Sequence, residues 1–157
     1  MGLRPLTIFA VAILLGTGAG AGFSYFEDRS APTSTLIATE GDGATRYEIC
    51  GVIRHNCVAD GDTLWIDGEK IRIADIDTPE IGSPRCDEER ALGQRAKHRL
   101  RELVNEGRFE VRRIGDRDVD KYNRKLRVLV RDGRSLGEQL VREGLARTWN
   151  GRREPWC

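Results

Sequence analysis

The sequence predicts a mainly β domain of the α+β class, in which a small barrel carries helices packed outside it, behind an apolar N-terminal segment. Three observations lead there. Short apolar runs of strand length end at turn pairs such as Asp67-Gly68 and Asp132-Gly133. Two later segments carry helical spacing or a helix cap. The order strands, helix, strands, helix lacks the regular strand–helix alternation of a parallel sheet, and no internal repeat or glycine-rich nucleotide motif is present. A chain of 157 residues suffices for one such domain.

Residues 1–26 do not read as part of that domain. Between residues 5 and 26 there is no charged side chain, Arg4 precedes the run, and residues 6–15 form a dense apolar stretch. Ala19-Gly20-Ala21 is a small-residue cleavage site, while the whole run could span a bilayer of about 30 Å if uncleaved. It therefore reads equally as a signal peptide or a single transmembrane anchor, and either places the remainder outside the cytoplasm: periplasmic, secreted, or held on the outer face of the membrane. A buried core helix fits less well, because Gly16, Gly18, Gly20 and Gly22 weaken a helix. Residues 27–46, rich in Ser, Thr, Ala and Gly, read as a flexible linker.

The folded domain is expected over 47–157. Val52-Ile53 and then Leu64 to Ile66 read as strands, and Asp67-Gly68 turns the chain into a strand from Lys70 to Ala74. On that strand Ile71 and Ile73 share one face and Arg72 takes the other. Leu92, Ala96, Leu100, Leu103 and Val104 recur at three- and four-residue steps before Gly107, predicting an amphipathic helix within 87–105. Phe109 and Val111 open another strand, and Leu126, Val128 and Val130 alternate along the next. Ser135-Leu136-Gly137-Glu138 has capping-box spacing and opens a short helix that stops at Gly144.

Cys50, Cys57, Cys86 and Cys157 form an even set without Cys-x-x-Cys spacing, which suits disulfides in an exported protein better than a zinc ribbon. Of the three possible pairings, nearness in sequence favours Cys50 with Cys57, leaving Cys86 with Cys157. Formal net charge is +1, so attraction to a polyanion must be local. Residues 108–131 supply it, with nine Lys or Arg against four acids. Such a run alone is more often a solvated face.

The chemistry concentrates in two acidic motifs, Asp60-Gly61-Asp62-Thr63 and Asp77-Thr78-Pro79-Glu80, on either side of the strand bearing Arg72. A second arginine arrives in Asp120-Lys121-Tyr122-Asn123-Arg124. Phosphodiester cleavage needs a hard cation on the phosphoryl oxygens, a carboxylate for the attacking water, and fixed positive charge for the transition state. Asp62, Asp77, Glu80, Arg72 and Arg124 are groups of those kinds. Taken singly, each has a plainer reading: Asp-Gly is a common turn pair, Glu80 a loop carboxylate, and each arginine a surface salt bridge. An EF-hand is excluded, since Leu64 and Trp65 occupy positions that need an oxygen ligand and a glycine. His55 and His98 sit in unrelated contexts and give no two-histidine mechanism, and no Gly-x-Ser-x-Gly motif is present.

Those motifs, together with Leu140-Val141-Arg142-Glu143-Gly144-Leu145-Ala146, resemble the staphylococcal nuclease (thermonuclease) family in order and spacing over roughly residues 58–147. The resemblance implies an OB-fold, a five-stranded β-barrel with about two packed helices. It also implies a calcium-dependent endonuclease that cuts single-stranded DNA and RNA to 3′-phosphate ends. It makes Asp62, Asp77 and the Thr78 carbonyl the Ca²⁺ ligands, Glu80 the residue that holds or deprotonates water, and Arg72 and Arg124 the transition-state cations. Lys121 and Tyr122 match substrate-phosphate positions. Asn123 departs from the family's usual glycine, though Asn tolerates a left-handed backbone. Beyond Gly144 the sequence also departs, running past Trp149 and Trp156 where the prototype has tyrosines and a third helix. Trp149 reads either as a base-stacking face or as a core residue. A monomer is expected, with membrane contact only through an uncleaved N-terminal segment. The rival from another class is a silent OB-fold module that binds nucleic acid or a protein.

Overall fold

A computed structural model describes residues 45–157 and the backbone of residues 36–37. The predicted leader or anchor and the rest of the linker lie outside the described residues. No described helix is long and apolar enough to cross a membrane.

The strands are β1 (Leu36–Ile37), β2 (Glu48–Ile49), β3 (Cys57–Asp60), β4 (Thr63–Ile66), β5 (Glu69–Ile73), β6 (Ile76–Asp77), β7 (Glu110–Arg113), β8 (Lys125–Arg131), β9 (Arg134–Ser135) and β10 (Arg147–Thr148). The helices are α1 (Asp87–Asn105) and α2 (Leu136–Arg142). One mixed sheet runs β1-β7-β8-β5-β4-β3-β2 with β9 on β8, and β6 pairs with β10 separately. Pairing is antiparallel except for β5 with β8 and β2 with β3. Among the described residues no pairing joins the ends of this path, so the strands form an open mixed sheet with two helices. A closed five-stranded barrel is not what the ladder shows. α1 covers β2 and β3 while α2 packs on β8 and α1, so helices close the core where strands do not.

Local chemistry explains the elements that position the site. The β4–β5 hairpin turns at Asp67 and Gly68, both at positive φ (48° and 81°), the backbone a two-residue hairpin demands. α1 starts at Cys86, whose sulfur accepts the Glu89 N–H at 3.4 Å, and its first turn carries Asp87, Glu88 and Glu89 against the helix dipole. Ala96, Leu100, Leu103 and Val104 are buried as the periodicity requires, but the inward residue one turn earlier is Gly93 rather than the half-buried Leu92. A Cβ on Gly93 would lie 2.7 Å from the Pro79 carbonyl oxygen, and one on Gly61 would lie 2.8 Å from the Ala96 Cβ. These two glycines let α1 press against both acidic motifs. α2 opens as its cap predicts, with the Ser135 hydroxyl accepting the Glu138 N–H at 3.1 Å.

Two strand expectations are corrected. Val52 and Ile53 are in no strand and are almost fully exposed. The Cys50–Cys57 disulfide, with Cα atoms 4.9 Å apart, pinches residues 50–57 into a loop and leaves them at its tip, while β2 and β3 pair at its base. On β8 the core residue is Leu129, on the opposite parity from the expected Leu126, Val128 and Val130. Val130 is buried as well, so both faces of β8 are partly covered and alternation misread the phase. The central core gathers Val58, Leu64, Ile71, Ile73, Ile76, Leu100, Leu129 and Leu140.

Candidate active site

The β4–β5 and β5–β8 registers decide where the arginines and carboxylates meet. Thr63 lies opposite Arg72 on β5, and Arg72 lies beside Leu126 on β8, so Thr63, Arg72 and Leu126 share the face away from Leu64 and Ile71. That face is not open solvent. Arg72 is 6 % exposed, and it sits between Asp62 (3.0 Å) and Asp77 (3.8 Å), both more deeply buried still. Its remaining N–H groups reach the carbonyls of Ile73 and Ile76, the latter at 2.9 Å. The guanidinium is thus held rigidly by strand and loop alike. Burial pulls its pKa down, against the pull of Asp62, and the neighbouring Arg124 lowers it further.

Asp62 ends the tight turn between β3 and β4 and accepts the Thr63 hydroxyl at 2.8 Å. Asp77, on β6, faces Arg147 of β10 in the ladder. Burial pushes the Asp77 carboxyl up more than Arg153 and Arg72 pull it down. Its Oδ1 is buried without a hydrogen bond, and Arg153 Nε stands 3.2 Å away, near enough for an ion pair but out of line to donate. A buried carboxylate oxygen left in this state, beside a second buried carboxylate, is a donor set that suits a hard cation. Among the described residues no three His, Cys, Asp or Glu side chains cluster for a metal. A cation here would take the two aspartates plus backbone oxygen, water or phosphate. Thr78 follows Asp77 and is buried; Asp60, beside Gly61, has its carboxyl pushed up to about 6 by burial and by Asp62.

Glu80 lies one proline beyond Thr78, half-buried, with its carboxylate paired to Arg153. Its backbone N–H reaches toward Glu89 (3.4 Å), a buried carboxylate in the first turn of α1 that also accepts the Arg85 N–H at 2.6 Å. Glu89 therefore ties the Glu80 loop to the helix start, a role the helical wheel alone could not distinguish from a dipole-compensating acid.

Arg124 comes from the other side. Asp120 accepts its Nε at 2.7 Å and its backbone N–H at 2.9 Å, and accepts the Tyr122 N–H at 2.9 Å. Burial pushes the Asp120 carboxyl up, but these hydrogen bonds win and hold it below its usual value. Asn123 adopts φ 58°, the left-handed conformation the loop needs where the resemblance expects glycine. So fixed, Arg124 extends Nη1 to within 3.3 Å of the Thr63 hydroxyl, next to Asp62. Tyr122 is 66 % exposed, with the Lys121 ammonium 5.0 Å and the Arg124 guanidinium 5.5 Å from its ring.

Arg72, Glu80, Lys121, Tyr122 and Arg124 all line one open cleft of about 810 Å³, joined by Arg117, Trp149 and Arg153. Trp149 is half-exposed in its wall, pinned by its backbone N–H to the Asp75 carbonyl at 2.8 Å. The structure forms both expected disulfides, Cys50–Cys57 and Cys86–Cys157. The sequence reading missed Glu89 and Asp120 as positioning groups and Arg153 and Trp156 as neighbours of Asp77. The first two show no signal beyond their carboxylates, and the last two are brought back from far along the chain by the Cys86–Cys157 disulfide together with the ties of Arg147 and Trp149. His55 and His98 are exposed, and neither lines the cleft.

Over 93 residues the chain is 41 % identical to the endonuclease YncB of Bacillus subtilis (56 % of this chain, 43 % of that protein). It is 40 % identical to the SPbeta prophage-derived endonuclease YokF of the same organism, over 56 % of this chain and 31 % of that protein. An uncharacterized endonuclease of Haemophilus influenzae is 30 % identical over 102 residues, 62 % of this chain and 50 % of that protein. The chain thus spans half or less of the length of these curated relatives. The family model described as staphylococcal nuclease homologue matches residues 70–155, more than half of the chain and all of the segment that carries Arg72, Asp77, Glu80 and Arg124. With the buried acid–arginine cluster that this match runs through, the chain belongs to the staphylococcal nuclease family.

Proposed function

We propose that the protein is a calcium-dependent nuclease that hydrolyses phosphodiester bonds within single-stranded DNA and RNA, leaves 3′-phosphate ends, and works outside the cytoplasm. The observation that carries this reading is the convergence, on one cleft, of a buried Asp62–Arg72–Asp77 cluster with Glu80 and with Arg124 from a separate loop. A silent binding module has no use for two buried carboxylates beside two fixed guanidiniums, since burying such charges is costly. The family and the endonuclease relatives support the same chemistry. Export is supported by the apolar run at residues 5–26 and by two disulfides, which persist in oxidising compartments.

Asp62, Asp77 and the Thr78 carbonyl would hold the cation, which supplies positive charge to a phosphoryl oxygen. Arg72 and Arg124 present planar donors to the non-bridging oxygens as their charge grows. Neither guanidinium gives up a proton, so both act electrostatically. Glu80 receives a hydrogen bond from the attacking water, which it orients or deprotonates. Along the cleft Lys121 and Arg117 follow the backbone charge, and Tyr122 and Trp149 offer stacking faces that tolerate any base.

Cleavage of a fluorescent single-stranded DNA by the oxidised chain, in Ca²⁺ and in EGTA, beside Glu80→Gln, tests the reading. Calcium-dependent cleavage that fails in the variant is expected. A folded chain that binds the strand yet never cuts it would overturn the nuclease reading in favour of a binding module.

A further inference from the structure

Resting on that reading, we propose that residues 149–157 complete the substrate site: a disulfide clasp holds Arg153 in the cleft as a third arginine for substrate phosphate.

The segment is fastened on both sides of Arg153. Upstream, Trp149 is tied to Asp75. Downstream, the Pro155 carbonyl accepts Arg147 Nη1 at 3.0 Å, and the same guanidinium stacks on the Trp156 ring at 3.9 Å. Trp156 Nε1 points at Asp77 Oδ2 from 3.4 Å, and Cys157 closes onto Cys86, the cap of α1. Arg152 and Glu154 pair only with each other, in the open. Of the three charged side chains in this segment, Arg153 is the one that turns inward, onto Asp77 and Glu80.

An arginine placed on a cation ligand and on the water-holding glutamate has two possible uses. It blocks the site, or it serves as the resident counter-ion of a site whose charge changes when cation and substrate arrive. The geometry favours the second. Arg153 is 44 % exposed at its side chain and faces the same cleft as Arg72, Arg117, Lys121 and Arg124, whose cations outnumber the lining acids Glu80 and Asp120 and so favour a polyanion. A divalent cation on Asp62 and Asp77 removes one partner of Arg153. The clasp keeps the guanidinium in the cleft, and phosphate is then its nearest available anion. A rigid strap also lowers the ordering cost of that contact.

The test separates the two uses and separates both from the parent reading. In a Glu80→Gln background, which holds substrate without turnover, labelled oligothymidylate is bound in Ca²⁺ and followed by anisotropy across a salt series, with and without Arg153→Ala. The expected result is about ten- to a hundredfold weaker binding, and a log–log salt slope smaller by about 0.7. Arg153→Lys is expected to restore the slope while leaving affinity between the two. Calorimetric Ca²⁺ titration without DNA should show Arg153→Ala binding the ion more tightly, since a competing charge has gone. Unchanged or tighter DNA binding by Arg153→Ala overturns the proposal and identifies a blocking arginine. A Cys86→Ser/Cys157→Ser chain that still melts cooperatively is expected to weaken DNA binding in the same direction; parent-like binding overturns the clasp. Absence of DNA binding by the Glu80→Gln chain itself would overturn the nuclease reading rather than this refinement of it.

Discussion

Two arginines in this protein each sit among carboxylates, with opposite outcomes. Arg99 on α1 donates to Glu102, Glu106 and Glu143, the residue that caps the end of α2, at 2.9–3.1 Å, near the surface, and the hydrogen bond to Glu143 leads in raising its pKa. Arg72 is buried with Asp62 and Asp77, burial lowers its pKa, and one Asp77 oxygen remains without a hydrogen bond. The first cluster is saturated and fastens two helices. The second is incomplete in its hydrogen bonding, and that is where the proposed function seats a cation and a phosphate. Ion pairs of similar composition therefore mean different things according to whether their oxygens are all spoken for in the dry interior.

The sharpest way to break the comparison is to delete each arginine in turn. Arg72→Ala should lower single-turnover cleavage on the order of 10²-fold or more, as loss of a transition-state donor does. It should also cost about 3–5 kcal/mol in urea unfolding, because two buried carboxylates then face each other. Arg124→Ala should match the kinetic loss without the same stability loss, since Arg124 is less buried; equal unfolding midpoints for the two variants would contradict the contrast. Next in size, Glu80→Gln should cut kcat with only a modest change in substrate affinity, and Asp62→Ala should shift the Ca²⁺ activation curve to higher concentration. A curve identical to the parent's would remove Asp62 from the cation site.

Arg99→Ala should leave cleavage unchanged and cost about 1 kcal/mol or less, read from the thermal midpoint. The smallest effects are in pH. The Arg99 hydrogen bond holds the Glu143 pKa below the ordinary range, so its stabilising contribution is full above that range and is lost as pH falls through the depressed value. Glu143→Gln should erase that acid-limb slope. Asp60 runs the other way: burial raises it from 3.8 to about 6, so the folded state favours the protonated acid and loses that stabilisation as pH rises to about 6. Asp60→Asn should therefore gain stability over the parent across that interval, and a constant difference from pH 4 to 7 would contradict the assignment.

Hydrophobic spacing with the Gly107 stop was enough to place α1 within 87–105, and the Asp67-Gly68 pair fixed the β4–β5 turn, because both are local signals with few alternatives. Alternation failed at β8, where Leu129 faces the core, because cover on both faces erases the polar beat that sets a strand's phase. Val52-Ile53 misled for a different reason: a disulfide-closed loop can expose apolar residues that pattern reading assigns to a strand. The residue types at the cleft were legible one motif at a time, since phosphate chemistry restricts which side chains can serve.

By itself the sequence determined the mixed α+β class and the acidic and arginine motifs, which depend on neighbours within a few residues or on composition. It favoured one of three cysteine pairings, and the folded structure settled it. Only the tertiary structure decided that Arg72 lies buried between Asp62 and Asp77, that Glu89 holds the Glu80 loop and Asp120 holds Arg124, and that the chain's last residues return to bring Arg153 and Trp156 onto Asp77. Those contacts join positions up to 79 residues apart, and distances of that kind are set by packing and cross-links rather than by any local rule.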